Sequence, residues 1–150
     1  TITVPEMTRF MITLNHAVDT VFSAIRDGES GETFIPTAPS ATVENIAKAL
    51  VGDRNIEVKV TGIRPGEKMH EILISDEEML HTVKKGDFYA IKSMLPELQN
   101  GFNAKERILK KEYSSADDVL NFEDTVKLLE KHHLLNIESG SIGTKKEILR

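Results

Sequence analysis

The run Ile56-Glu57-Val58-Lys59-Val60-Thr61 alternates apolar and polar residues and stops at Gly62-Ile63-Arg64-Pro65-Gly66-Glu67-Lys68-Met69-His70-Glu71. A period of two predicts a half-buried β-strand, and Pro65-Gly66 forces a sharp turn at its carboxyl end. In open α/β sheets, ligands bind beyond that end of the strands. Arg64 supplies a planar fork of donors suited to diphosphate oxygens, and Glu67 an acceptor for sugar or ribose hydroxyls. Gly66 lets the backbone approach a ligand closely. The competing reading of Arg64 to Glu67 is a solvated surface turn with an ion pair, since Pro and Gly punctuate most connections.

The rest of the chain alternates elements. After Thr13, the residues Leu14, Ala17, Val18, Val21, Phe22 and Ile25 recur at helical spacing, with Gly28 placed to end the helix, and the stripe reads as core. A short strand at Thr33 to Ile35 and a polar turn from Pro36 to Ser40 lead to a helix capped near Thr42, with Val43, Ile46, Ala47 and Leu50 on its buried face. Beyond the Arg64 turn, Glu71 to Ile74 reads as a short strand or a buried extended segment. Ser75 and Glu78 form a capping box for a helix carrying Met79, Leu80 and Val83, which Gly86 ends. Asp87 to Ile91 is a further strand, and Ser93 to Glu112, with Pro96, Asn100 and Gly101, an irregular connection. A last helix from about Asn121 presents Phe122, Val126 and Leu129. The expected division is a binding domain over residues 1–135 and a polar, mobile tail over 136–150.

A chain of 150 residues with 39% apolar and 29% charged residues fits one globular domain with a modest core. Its net charge of -5 argues against a general nucleic-acid surface, so an anionic ligand must be met locally, by Arg9, Arg64 and Lys68. With no cysteine there is no disulfide framework and no thiolate nucleophile or metal ligand, which suits the cytoplasm. No apolar run approaches membrane-helix length, and no signal-peptide pattern opens the chain.

The heptapeptide Arg64-Pro65-Gly66-Glu67-Lys68-Met69-His70 resembles the substrate-binding turn of the UDP-N-acetylglucosamine 4,6-dehydratases and related CapD-type UDP-sugar 4-epimerases, which are extended short-chain dehydrogenase/reductases. Further segments match that family in the same order. Thr3-Val4-Pro5-Glu6-Met7-Thr8-Arg9-Phe10-Met11-Ile12 resembles its second uridine-nucleotide contact, the helix from Thr13 and the strand Glu32 to Pro36 follow as they do there, and Glu112-Tyr113-Ser114-Ser115 resembles its C-terminal region. The resemblance implies an α/β fold, the small substrate-binding domain of an extended short-chain dehydrogenase/reductase without its Rossmann half. It further implies that Arg9 and Arg64 neutralise the diphosphate of a UDP-sugar, that Met7 and Thr8 shape the uridine contact, and that Glu67 accepts from hydroxyls. The complete enzyme is expected to be a homo-oligomer that oxidises the sugar at C4 with NAD(P) and then dehydrates or epimerises it for capsule or lipopolysaccharide assembly.

Two features of that family are missing. There is no Gly-rich turn after a first strand to hold a cofactor pyrophosphate, and no Tyr-x-x-x-Lys, since Tyr89 is followed by Lys92 and Tyr113 by Asp117. The chain is therefore expected to be the C-terminal portion of an enzyme, or a piece of one, that binds no NAD(P) and turns over no substrate alone. A stand-alone sugar-nucleotide sensor and an interaction module that has lost its ligand are the other classes; the paired Arg9 and Arg64 disfavour the second. Among the remaining residues, His132-His133 reads as a helix-terminal cation pair rather than a metal site, because neighbours on a helix point to different faces. His70 reads as a brace for its loop or as a ligand contact. Asp76-Glu77-Glu78 suits a first helical turn, and Lys110-Lys111 reads as solvated surface.

Overall fold

The computed structural model describes residues 1–98 and 108–135; the Asn100-Gly101 part of the expected connection and the tail over 136–150 lie outside them. The chain begins with strand β1 (Thr8–Phe10). The Thr13 hydroxyl then accepts from the His16 N–H at 3.1 Å and starts helix α1 (Leu14–Asp27), which closes with the Gly28 N–H donating to the Ala24 carbonyl. Strands β2 (Thr33–Pro36) and β3 (Ser40–Thr42) follow, and Thr42 caps helix α2 (Val43–Val51) through the Asn45 N–H.

Strand β4 (Ile72–Ile74) runs into the expected capping box, in which the Ser75 hydroxyl accepts from the Glu78 N–H and the Glu78 carboxylate from the Ser75 N–H, opening the short helix α3 (Asp76–Met79). Strands β5 (Thr82–Lys85) and β6 (Phe88–Ile91), a 3-10 turn at Pro96–Leu98, strands β7 (Tyr113–Ser114) and β8 (Val119–Leu120), and helix α4 (Phe122–Lys131), capped by Asn121, complete the order.

Among the described residues the architecture is mixed α/β with three small sheets. In the first, β3 is central, antiparallel to β1 and parallel to β8. In the second, β6 is central and antiparallel to both β2 and β5. Strands β4 and β7 form an antiparallel pair with a register shift between Ile72 and Ile74. Tyr113 links these layers: its ring lies 5.0 Å from that of Phe10 on β1 and 5.2 Å from that of Tyr89 on β6. Its hydroxyl donates to the Ala38 carbonyl at 3.1 Å and accepts from the Ala38 N–H at 3.0 Å, and burial pushes its pKa up.

Several expectations need correction. The helix expected to carry Val83 stops at Met79, because Thr82 and Val83 are β-branched and Gly86-Asp87 closes a two-residue hairpin between β5 and β6, with Gly86 at φ 58°. The alternating run 56–61 is not a strand. It meets the body of the protein through one parallel bridge, Ile2 to Val60, with the Ile2 N–H on the Lys59 carbonyl and the Thr61 N–H on the Ile2 carbonyl, and residues 56 to 61 are exposed on both faces. Alternation predicts a strand only where a sheet edge lies beside it to pair with. On α2 the buried residue is Ala49, whereas Leu50 is exposed. The polar turn expected to run to Ser40 ends earlier, since Ser40 opens β3.

The largest departure is α1. Leu14, Val18, Val21, Phe22 and Ile25 are 80%, 44%, 59%, 64% and 75% exposed, while Ser23 on the opposite face is buried. The helix rests on the protein through its small and polar side, where the His16 ring lies tilted 6.2 Å from that of Phe88. The core is correspondingly small, built on Met7, Ala41, Ile74, Ala90 and Leu129 with buried hydroxyls from Thr8, Ser40, Thr82, Ser115 and Thr125.

A charged cluster ties the start of β2 to its sheet. The Glu32 side chain is 2% exposed, and the Lys85 and Lys92 ammonium groups each lie 2.7 Å from one of its oxygens. Burial alone would raise the Glu32 pKa, but the Glu29 N–H and the two lysines outweigh it and hold the carboxyl below its usual value.

Candidate functional site

Residues 7–9 and 69–71, about sixty positions apart, meet in one network. The Thr8 N–H donates to the Met69 carbonyl at 3.0 Å, which lays the end of the Arg64 loop along β1. Thr8 is buried, and its hydroxyl sits between Ser115 Oγ at 2.6 Å and His70 Nδ1 at 2.8 Å. Ser115 Oγ in turn accepts from the Glu71 N–H at 2.9 Å, and the Ser115 N–H donates to the Glu71 carbonyl at 2.8 Å. His70 thus braces the loop, one of the two roles its position suggested. Its Nδ1 is engaged and the residue is exposed to solvent.

Arg9 leaves β1 beside this network. One guanidinium nitrogen donates to the Thr8 carbonyl at 2.7 Å and the Met69 carbonyl at 3.4 Å, and Nε lies 3.6 Å from a Glu71 carboxylate oxygen. Among the described residues the other terminal nitrogen meets the Met7 sulfur alone, at 3.9 Å. That nitrogen keeps a donor for an anion, while its neighbours already face the Thr8 and Met69 carbonyls and the Glu71 carboxylate.

Met7 is fully buried; the carbonyls of Met7 and Pro5 accept from the Val43 and Glu44 N–H groups at 2.7 and 3.1 Å. The segment carrying Met7, Thr8 and Arg9 is therefore anchored on the first turn of α2. Those two donors would otherwise lack partners at a helix start.

The Arg64 turn itself is a type II turn. Gly66 has φ 85°, the Glu67 N–H donates to the Arg64 carbonyl at 3.0 Å, and Glu67 Oε2 accepts from the Arg64 N–H at 2.9 Å. Glu67 holds its own turn with one oxygen, leaving Oε1 without a hydrogen bond among the described residues. The Arg64 guanidinium is exposed and makes no hydrogen bond or ion pair among the described residues. An arginine whose backbone is fixed and whose head is open to solvent suits capture of an anion.

Sequence reasoning did not see that Ser115 and Glu71 complete the site. A hydroxyl more than a hundred residues downstream carries no local signal of its partner. His132 does end α4 as its cap residue. Among the described residues no group of His, Asp and Glu could hold a metal, and no helix is long and apolar enough to cross a membrane. Lys111 is not merely solvated, because it pairs with Asp117, which raises its pKa.

The helices α1, α2 and α4 are capped by the side chains of Thr13, Thr42 and Asn121, and at α2 the Val43 and Glu44 N–H groups donate to the Met7 and Pro5 carbonyls.

Comparison with known proteins bears on this arrangement. The UDP-glucose 4-epimerase of Rickettsia bellii is 43% identical over 93 residues, which cover 61% of this chain and 27% of the relative. That of Rickettsia felis is 43% identical over 94 residues with the same coverage. The chain thus spans little more than a quarter of the curated relatives it matches. Among solved structures, the X-ray structure of Pen from Bacillus thuringiensis superposes with a TM-score of 0.76 at 28% identity, over 89% of this chain and 40% of that one. The profile of the polysaccharide biosynthesis protein family runs through residues 1–93, taking in β1 with Arg9, the whole Arg64 turn and the hairpin beyond it, and this chain belongs to that family.

Proposed function

We propose that this chain is the UDP-sugar-binding portion of an NAD(P)-dependent nucleotide-sugar epimerase or 4,6-dehydratase, of the UDP-N-acetylglucosamine type, serving capsule or lipopolysaccharide assembly in the cytoplasm. The observation that carries the reading is the meeting of residues 7–9 with 69–71 through Thr8, His70 and Met69. These are the two segments whose sequences resemble the nucleotide contacts, and they share one hydrogen-bonded unit although sixty-two residues separate Thr8 from His70. The names of the Rickettsia relatives support an epimerase, and membership of the polysaccharide biosynthesis family supports a role in sugar polymer assembly.

On this reading Arg9 and Arg64 meet the diphosphate, Met7 and Thr8 set the floor of the uridine contact, and Glu67 Oε1 accepts from a sugar or ribose hydroxyl. The binding energy so gained positions the sugar for chemistry carried out by residues outside this chain. The cofactor belongs to that other portion, together with the Gly-rich turn that would hold it. Two-dimensional NMR of the chain titrated with UDP tests the proposal. Shifts concentrated at residues 7–9 and 64–71 are expected, and shifts elsewhere or none at saturating nucleotide would contradict it.

A further inference from the structure

Helix α1 sits inside out. His16, Thr20, Ser23 and Ala24 face the rest of the chain, while Leu14, Val18, Val21, Phe22 and Ile25 point to solvent. Spacings of four, three, one and three residues place those five side chains on a single stripe along the whole helix. The stripe exposes on the order of 600 Å² of apolar side chain, the upper limit of what a monomer leaves uncovered without a use for it. The same area falls short of the ~800 Å² that each partner of a stable complex commits. It fits a seam within one polypeptide, where linkage supplies a high effective concentration.

The shares covered in known proteins give the occupant. The chain accounts for 27% of the Rickettsia bellii relative and 40% of Pen, so in both this unit is part of a much longer polypeptide. At the start of the stripe, Ile12 and Thr13 line a cavity of about 220 Å³ with Phe10, Leu128 and Leu134, room for an apolar side chain from the covering surface.

We propose that the outer face of α1 is the docking seam for the remaining portion of a longer enzyme, covered by an apolar helix or sheet face of that portion rather than by a second copy of this chain. This rests on the reading of the chain as one portion of an epimerase-like enzyme. The same seam fixes where the UDP-sugar site stands relative to the catalytic groups, because β1 with Arg9 leads through only Met11, Ile12 and Thr13 into α1.

The test compares two settings. In this chain, Val21→Glu and Phe22→Glu should leave the melting temperature within about 2 °C and lower the binding of an apolar dye, since both side chains already face water. In a chimera of the Rickettsia bellii epimerase carrying residues 1–93 of this chain in place of its matched segment, the same substitutions should lower the melting temperature by on the order of 10 °C, and Asp19→Lys should not. Should the glutamate variants not fold, Val21→Ala and Phe22→Leu should give smaller, graded losses in the chimera alone. Equal melting of substituted and unsubstituted chimeras would overturn the proposal, as would an unsubstituted chimera that fails to fold where the relative folds. A dimer of this chain that Phe22→Glu dissociates would overturn it in favour of a second copy. UDP titration of the unsubstituted chimera reads the nucleotide site separately, so failure of one reading is told from failure of the other.

Discussion

Thr8 and Ser115, 107 residues apart, hold their hydroxyl oxygens 2.6 Å from each other in a buried contact. The contact joins the segment that carries Arg9 to the strand pair β4–β7. Through the Glu71 N–H on Ser115 Oγ, it also sets the end of the Arg64 loop. The candidate site is thus a consequence of tertiary closure and not of any one motif.

Ser115→Ala should therefore do more than remove a hydroxyl. It leaves the Glu71 N–H and the Thr8 hydroxyl short of a partner in a place water reaches poorly, a cost of about 1–3 kcal/mol. Denaturant unfolding should show that loss, and hydrogen exchange at Glu71 should quicken. Unchanged stability and exchange would show that the network does not hold the loop.

The Glu32 cluster makes acid stability predictable in sign. Its carboxyl has a lowered pKa in the folded chain, so its contribution is present above the unfolded value of about 4.3 and is lost as pH falls through the folded value. Glu32→Gln should cost about 2 kcal/mol at pH 7. The gap in melting temperature between wild type and variant should narrow below about pH 4.5. A gap that stays constant down to pH 3 would contradict this account.

Gly66→Ala tests the shape of the turn. A Cβ at Gly66 meets nothing within 4 Å, so its cost is conformational, about 1–2 kcal/mol from the positive φ. Because the turn is exposed, the effect should appear as weaker UDP binding more than as a lower melting temperature. A variant that binds UDP like wild type would mean the turn's backbone shape does not matter to the ligand.

NAD(P) should not bind this chain measurably, given that its sequence has no Gly-rich turn after a strand. Equilibrium dialysis with NAD+ and NADP+ checks this; saturable binding would overturn the view that the cofactor belongs to another portion.

Much of the fold was legible because its signals are local. Thr13 and Gly28 bound α1, Thr42 caps α2, the Ser75–Glu78 box opens α3 and Asn121 caps α4, each a side chain acting within one turn. What failed depended on neighbours. The run 56–61 has the alternation of a strand but pairs only at Val60, and the α1 stripe has the periodicity of a core helix but its large residues are exposed. Periodicity says that a face is meant to be covered, not by what. For the site, the motif residues at 7–9 and 64–67 could be picked out singly, whereas the hydroxyl relay from Ser115 through Thr8 to His70 exists only in three dimensions.

Calorimetric titration of this chain with UDP, comparing wild type with Arg64→Ala, Arg64→Lys and Glu67→Gln, tests the central claim most directly. A charge-assisted hydrogen bond is worth about 1.5–3 kcal/mol, so Arg64→Ala should weaken UDP roughly ten- to a hundred-fold at an unchanged melting temperature. Arg64→Lys should recover part of that loss, since a point charge cannot reproduce the fork, and Glu67→Gln should cost less because its amide oxygen can still accept from the Arg64 N–H. A folded Arg64→Ala variant with wild-type affinity for UDP, or a wild-type chain with none, would contradict the account and make the turn ordinary surface.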